Sequence, residues 1–513
     1  ERLLIVTTSQ RDAKRLERIL EALSLQVTRI DSETNENGAF RLFFRDPNEW
    51  LKQQQPDVLI LSPSAKSGVS IEGNVAAEDA YFDEVWGYFP ALATDTHLQL
   101  LGRYRPPVPR KIFVPPFIMG TGDELDYAPA DIKKRFQSDI ETVSQLHRII
   151  DVPKLAGTEL AVLDYLATAR AISGNQKAIA QETLIDRLQA SGHQIQHCEV
   201  KGDPDIRELW HSTQEAIWRA EALEMATGMV EAGHTLDWAY RTLDSMESSR
   251  HDRIIALKVL WRDQFPGVNF DNADEVYQAL CQDYGRMRKG VLLQAQAMNL
   301  DTVKASDRAA AESLFQGGMR PLHKLPKTYI KAAMMERLGI LTMLDGKPWS
   351  NADTRAIAIK ATALQYAQVI QNWLNLTIKA DQTPSEVVNK LLKRLGFLTV
   401  STARPGGRNE KRMRIYEIID FHNPVRAKLL QAACHRLSDS ASTICNGALP
   451  PPIETTDTPS KSLVDWAVGA LAMHLKTGVM VLIEEIQGAI AIVSNEIDEV
   501  LTIPLAELAE WTG

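Results

Sequence analysis

The sequence predicts a multidomain chain: an α/β lobe on a parallel sheet, a largely α-helical middle, a small basic helix-and-hairpin domain and a small C-terminal α+β module. Three observations carry this prediction. Short apolar runs alternate with helical periodicity over residues 1–118. From 131 to 340 the period is helical, with few strand signals. After 352, helix-like segments give way to two strand-like runs joined by a Gly- and Arg-rich turn. At 513 residues the chain is too long for one hydrophobic core. Its 44% hydrophobic and 24% charged residues exclude chain-wide disorder.

The first lobe opens on a strand, RLLIVTT, over 2–8. Ser9 is placed to cap a helix whose apolar residues Leu16, Ile19, Leu20 and Leu23 share one face. A second strand is expected over 26–30 and a helix over 46–55. In the run DVLIL at 57–61 the four residues after Asp57 are all apolar, which is consistent with a strand buried on both faces of a parallel sheet. Further strands are expected at 84–88 (EVWGY) and 111–114 (KIFV). In the middle of the chain, 205–230, 273–288 and 304–314 read as amphipathic helices.

Residues 354–376 read as one long helix. Thr383 can cap another, 384–395, with Pro384 at its first position. Strands are expected at 397–402 and 413–419 around the turn ARPGGRNEKR. Helix, strand, basic turn, strand is the layout of a winged helix, so 352–422 is expected to be a winged-helix-like domain. A Pro-, Thr- and Asp-rich linker, 448–460, precedes the module at 461–513, where a helix over 463–475 and short strands over 479–484 and 489–493 are expected.

Composition limits the chemistry. The net charge of −9 excludes a uniformly basic coat but not a local basic site. No apolar run reaches the roughly 18 residues of a membrane span, so no membrane partner is expected. The four cysteines, Cys198, Cys281, Cys434 and Cys445, lack metal-ligand spacing and read as reduced thiols of a cytoplasmic protein. His193 and His197 lie near Cys198, but no cysteine pair supports zinc, and no metal site is expected. Trp210, Trp218 and Trp238 read as packing residues. The chain opens on Glu1 instead of Met, so a fragment or a processed protein is expected.

Two constellations carry chemistry. After DVLIL comes Ser62-Pro63-Ser64-Ala65-Lys66-Ser67-Gly68-Val69-Ser70-Ile71, and later Gln99-Leu100-Leu101-Gly102-Arg103-Tyr104-Arg105. A small-residue loop at a strand end brings backbone amides near a phosphate, and a planar guanidinium stabilises charge on a transferring phosphoryl group. The second is the turn, where Arg404, Arg408, Lys411, Arg412 and Arg414 face only Glu410. Lys390, Lys393 and Arg394 lie on the helix before it. Such a hairpin suits contact with phosphates, while its alternative reading is a charged edge that prevents strand-to-strand pairing.

The order strand, SPSxxSGVSI, FDEVWGYF, QLLGRYR resembles motifs IV, V and VI of superfamily 2 helicases. It looks most like the cyanobacterial RepA-type plasmid replication proteins and, more distantly, the herpesvirus origin-binding helicases. The resemblance implies that 1–118 is a second RecA-like lobe. It places Thr7, Thr8 and Ser9 in a loop that touches nucleic acid. Ser62, Ser64, Ser67, Gly68 and Ser70 fall in motif V, and Gln99, Arg103 and Arg105 in motif VI. It further implies DNA-binding roles for Ser62 and Ser64, ATP-site roles for Gly68, Ser70, Gln99, Arg103 and Arg105, and an arginine-finger role for Arg105 or Arg103. Two departures stand out. The arginines are two apart instead of three, and Ser70 stands where many relatives carry Asp.

No GxxxxGK[ST] occurs in the sequence, so the chain itself offers no cradle for β- and γ-phosphates. Gly346-Lys347 is followed by Pro348. The acidic stretch Gly122–Asp126 has no phosphate loop upstream and is not expected to hold Mg²⁺. The expectation is therefore the C-terminal part of a plasmid replication helicase or initiator. ATP and Mg²⁺ would be bound only with a first RecA lobe supplied in cis or in trans, DNA would be the partner, and the chain alone would be inactive as an ATPase. The competing expectation is a non-enzymatic DNA-binding or scaffold protein with a degenerate helicase lobe.

Overall fold

The apolar run Val58–Leu61 is completely buried, and its neighbours explain why. Alternate side chains face opposite ways: Leu59 and Leu61 join a core with Leu4, Val6 and Phe89, whereas Val58 and Ile60 pack with Ile5 and Ala13. A strand covered on both faces belongs inside a parallel sheet. In the computed structural model this sheet is formed by β1 (Leu3–Thr7), β2 (Val27–Ile30), β3 (Val58–Leu61), β4 (Glu84–Tyr88) and β5 (Arg110–Phe113), in the order β2-β3-β1-β4-β5, with every neighbouring pair parallel. The structure describes residues 2–35, 39–63, 69–72, 80–118, 127–149, 152, 155–245, 248–317, 325–403, 414–445, 471–474, 480–487, 490–494, 500–504 and 508–510.

Local signals place the helices around this sheet. Ser9 Oγ accepts from the Asp12 amide at 3.2 Å and starts helix Gln10–Ala22. Asp46 caps Pro47–Gln54, whose proline sits in the first turn. Helix Thr94–Leu101 leads from β4 back to β5. Helix Ala180–Ala190, from outside the predicted lobe, adds Ala180 and Leu184 to the lobe's core.

The middle is helical, with one correction. The segment expected as a single helix over 273–288 is helical over Ala273–Val276, turns π-helical at Tyr277–Cys281 and 3₁₀ at Gln282–Tyr284, then restarts as Arg286–Met298. The break is backbone geometry. Asp283, Tyr284 and Gly285 all adopt positive φ, at 49°, 58° and 69°. Only glycine tolerates that region freely, and each non-glycine there costs about 1–3 kcal/mol. Tertiary contacts hold Tyr284 in place: its hydroxyl accepts from Arg15 Nη2 at 2.9 Å, Trp218 meets its ring edge-on at 5.2 Å, and the Arg11 guanidinium lies 3.7 Å from its ring centre.

Beyond the middle, β6 (Trp349–Ser350), β7 (Thr399–Ala403) and β8 (Ile415–Ile418) form an antiparallel sheet in the order β6-β8-β7. Helices Thr328–Arg337, Thr354–Gln365, Ala367–Leu374 and Pro384–Arg394 surround it. Thr383 and Glu386 form a reciprocal capping box at the start of the last of these. The helix expected over 354–376 is broken at Tyr366. Leu364 and Tyr366 both turn into the same core, and a straight helix would set them about 200° apart. The core of this unit also takes in Ala332 and Met335, so its packing begins before residue 352.

Helix Pro424–Cys445 packs back on the middle through Val425, Leu429 and Ala433. The described C-terminal residues are β9 (Leu471–His474), β10 (Met480–Gln487), β11 (Ile490–Ser494), β12 (Val500–Pro504) and β13 (Leu508–Glu510). They form an antiparallel sheet in the order β12-β11-β10-β9-β13. This corrects the helix expected to reach residue 475. Residues 471–474 pair with a strand on each side, so sheet partners decide their conformation over local helical periodicity. Among the described residues, no helix is long and apolar enough to cross a membrane.

Candidate nucleotide and nucleic-acid sites

The residues singled out in the first lobe fall in two places. Thr7 ends β1, and Thr8 and Ser9 follow it at the carboxyl edge of the sheet, where strand order reverses and α/β sheets open a crevice for ligands. Ser62 follows β3 on the same edge and is buried. Gln99, Arg103 and Arg105 lie on and after the return helix. Tyr104 fixes their height, since its hydroxyl accepts from the Phe82 amide at 2.8 Å, and Phe82 precedes β4. That is the amino end of the strand, about 15 Å from its carboxyl end. The structure therefore separates the Thr7–Ser9 group from the arginine group.

At the carboxyl edge the hydroxyls already have structural partners. Thr7 Oγ1 accepts from the Ser9 amide at 3.2 Å, and Thr8 Oγ1 accepts from the Ala91 amide at 3.2 Å. Ser9 Oγ caps its helix. Both threonine side chains are buried. These groups set the shape of the crevice by tying the loop after β1 to the loop after β4. Nearby, the buried His97 ring stacks on Phe89 at 4.5 Å, and its Nε2 donates to the Ala91 carbonyl at 2.9 Å.

Burial holds the His97 pKa below the ordinary histidine value. The unfolded chain then takes up the proton first as pH falls. Stability is full above the unfolded value and declines as pH drops from there toward the folded one. We expect the melting point of the protein to fall between about pH 7.5 and about pH 5.5, and His97→Asn to shrink that fall. An identical fall in the variant would remove His97 from the account. His147 is buried with neither ring nitrogen hydrogen-bonded among the described residues, and its pKa is also lowered by burial, so it adds to the residual pH dependence.

At the other place the two motif segments meet. Ile71 and Tyr104 form an isolated parallel bridge, with the Ile71 amide donating to the Arg103 carbonyl at 2.7 Å and the Arg105 amide to the Ile71 carbonyl at 3.0 Å. Arg105 Nε donates to Ser70 Oγ at 3.2 Å. The Arg105 and Gln99 side chains are exposed. Arg103 is different: only 9% of it is exposed, its Nη1 has no hydrogen-bond partner among the described residues, and burial lowers its pKa. A largely buried guanidinium with one nitrogen lacking an acceptor carries a desolvation cost and fits an anionic group arriving from outside. Ser64, Ser67 and Gly68 lie outside the described residues, as does Gly122–Asp126.

In the second constellation, Arg414 is exposed immediately before β8, while Arg404, Arg408, Lys411 and Arg412 lie outside the described residues. On the preceding helix, Lys393 is exposed, but Lys390 Nζ donates to the Thr377 carbonyl at 2.8 Å and Arg394 Nη2 to the Leu374 carbonyl at 2.5 Å. Two of these three cations thus also pin the helix to its neighbours. Among the described residues no cluster of His, Cys, Asp or Glu could hold a metal ion. Sequence reasoning missed Tyr104 as the latch between the segments, because its partner Phe82 is remote along the chain and no local pattern links the two.

No protein-family model, curated protein or solved structure matches the chain.

Proposed function

We propose that this chain is the second lobe and DNA-binding part of a two-lobe, ATP-driven replication helicase or initiator. The observation that carries the reading is the meeting of Ser70 with Arg105 beside the buried Arg103, whose Nη1 lacks an acceptor among the described residues. In this reading Ser70, Arg103 and Arg105 face a terminal phosphate from one side. The cradle for the other phosphates and Mg²⁺ comes from a first lobe, in cis or in trans. Arg105, exposed and held by a hydrogen bond to a serine hydroxyl, fits the finger role better than Arg103, whose burial fits a positioning role. The sheet order β6-β8-β7 with its surrounding helices supports a winged helix that covers 352–422 and takes in β6 just before it, and in this reading the arginine-rich segment 404–413, outside the described residues, serves as its wing. The wing grips DNA through its phosphates.

The test is fluorescence anisotropy of single- and double-stranded DNA binding across a salt series, using the unmodified chain and a variant with Arg408, Lys411, Arg412 and Arg414 changed to Ala. The variant is expected to bind all sequences more weakly, with the salt slope reduced by about one unit for each phosphate it no longer neutralises. Failure of the unmodified chain to bind DNA at low salt would overturn the DNA reading and leave a scaffold that uses the lobe for partner contact.

A further inference from the structure

Five cations from three parts of the fold converge, and among the described residues none of them has a carboxylate in ion-pair contact. They are Arg11 on helix Gln10–Ala22, Arg288 and Lys289 on helix Arg286–Met298, Lys331 on helix Thr328–Arg337, and Arg394 at the end of helix Pro384–Arg394. Arg11 lies on the ring of Tyr284, and a Cβ on the next residue, Gly285, would be 3.5 Å from Arg288 Nε. One turn on, Gly290 packs directly on the Leu395–Gly396 backbone, which sets Lys289 beside Arg394. Helices Arg286–Met298 and Thr328–Arg337 share one core through Ala297 and Ala332, and Lys331 on the second of them lies close enough to Arg394 to feel its charge.

Their contacts are neutral ones. Arg11 has the Tyr284 face, Arg288 the Trp261 face at 5.3 Å and the Gln264 amide oxygen at 3.5 Å, and Arg394 the Leu374 carbonyl. Lys289 and Lys331 are exposed. Partial desolvation by the surrounding protein and then Arg288, Arg11 and Arg394 lower the pKa of Lys289; partial desolvation and then Arg394 and Lys327 lower that of Lys331, against a weaker opposing pull from Asp307. Elsewhere on the chain, cations such as Lys14, Arg29 and Arg355 sit in carboxylate networks. A seam of such cations on a chain whose net charge is −9 therefore marks a place reserved for an outside anion.

We propose that Arg11, Arg288, Lys289, Lys331 and Arg394 form a phosphate track along which a DNA strand passes from helix Pro384–Arg394, across helix Arg286–Met298, to the first helix of the sheet domain. The track rests on the DNA-binding reading and extends it. It makes the helical middle part of the grip instead of a spacer. A line of cations contributed by three parts of the fold matches a repeating polyanion better than a single small ligand, because each position meets its own phosphate.

The test uses Lys289→Gln/Lys331→Gln, two exposed positions where the change removes charge and leaves the apolar cores untouched. Affinity for DNA is expected to fall about tenfold at moderate salt, with the salt slope reduced by about two units. In parallel, saturating DNA is expected to protect Lys289 and Lys331 from amine acetylation, read by mass spectrometry on the unmodified chain. Unchanged affinity and unchanged acetylation, in a protein that still binds DNA and still weakens when the wing is altered, would sink the track and leave the DNA reading standing. Absence of any DNA binding by the unmodified chain would sink both.

Discussion

Gly290→Val is expected to lower the unfolding midpoint by roughly 6–12 °C, the effect of about 3 kcal/mol on a unit of this size. A Cβ at Gly290 would lie 2.0 Å from the Leu395 oxygen and 2.4 Å from the Gly396 nitrogen. Those are backbone atoms and cannot swing aside as a side-chain end would. The partner position is equally constrained: Gly396 holds φ at 80°, and its own Cβ would lie 2.6 Å from the Arg286 oxygen. Any side chain at 290 must push helix Arg286–Met298 away from the end of helix Pro384–Arg394, opening the apolar core shared by Ala297, Leu395 and Phe397. In a multidomain chain the destabilisation belongs to the transition that unfolds this core, so calorimetry is the measurement to make. A trace superimposable on that of the unmodified protein would show that the two backbones do not touch.

The second large effect is expected at Arg426. This residue is 3% exposed, yet no ion pair accompanies it among the described residues. Its Nη2 donates to Gln294 Oε1 at 2.7 Å and to the Leu395 carbonyl at 2.8 Å, and its guanidinium sits 3.4 Å from the centre of the Phe397 ring. Burial pushes its pKa down to about 10. Truncation to Ala removes charge-assisted hydrogen bonds and leaves a cavity, at a cost of about 3 kcal/mol or more. Arg426→Met fills most of the space and removes the desolvated charge, so it is expected to cost less than half as much. Equal destabilisation in chemical denaturation would mean that the hydrogen bonds, and not the packing, account for the residue.

Much of the first sheet was legible in the sequence. The run Val58–Leu61 read as a doubly covered strand, Ser9 and Asp46 were readable as the starts of helices, and Glu84–Tyr88 was read with its observed limits. Thr383 and the proline after it marked the start of the helix before the hairpin. These signals are local: a capping side chain meets an amide within the next turn, and burial on both faces shows as an unbroken apolar run.

Distance along the chain explains the rest. The two-residue strand Trp349–Ser350 exists because Ile415 and Tyr416 lie beside it, and β9 is a strand because β10 and β13 flank it. The left-handed turn at Asp283–Gly285 is held by Arg11 and Arg15 from the first helix of the chain. At the candidate sites, the motif pattern picked out Ser70, Arg103 and Arg105 but could not divide their work. Burial of Arg103 and exposure of Arg105 follow from which groups pack over them. The cations of the seam are scattered: Arg394 stood out beside the basic turn, but Arg11, Arg288, Lys289 and Lys331 each read as an ordinary solvated charge in its own helix. Most of the described strands and helices were readable from the chain alone, because those choices rest on neighbours a few residues away. Tertiary structure alone decided which cations sit apart from carboxylates and which backbones touch, because both depend on residues that only folding brings together.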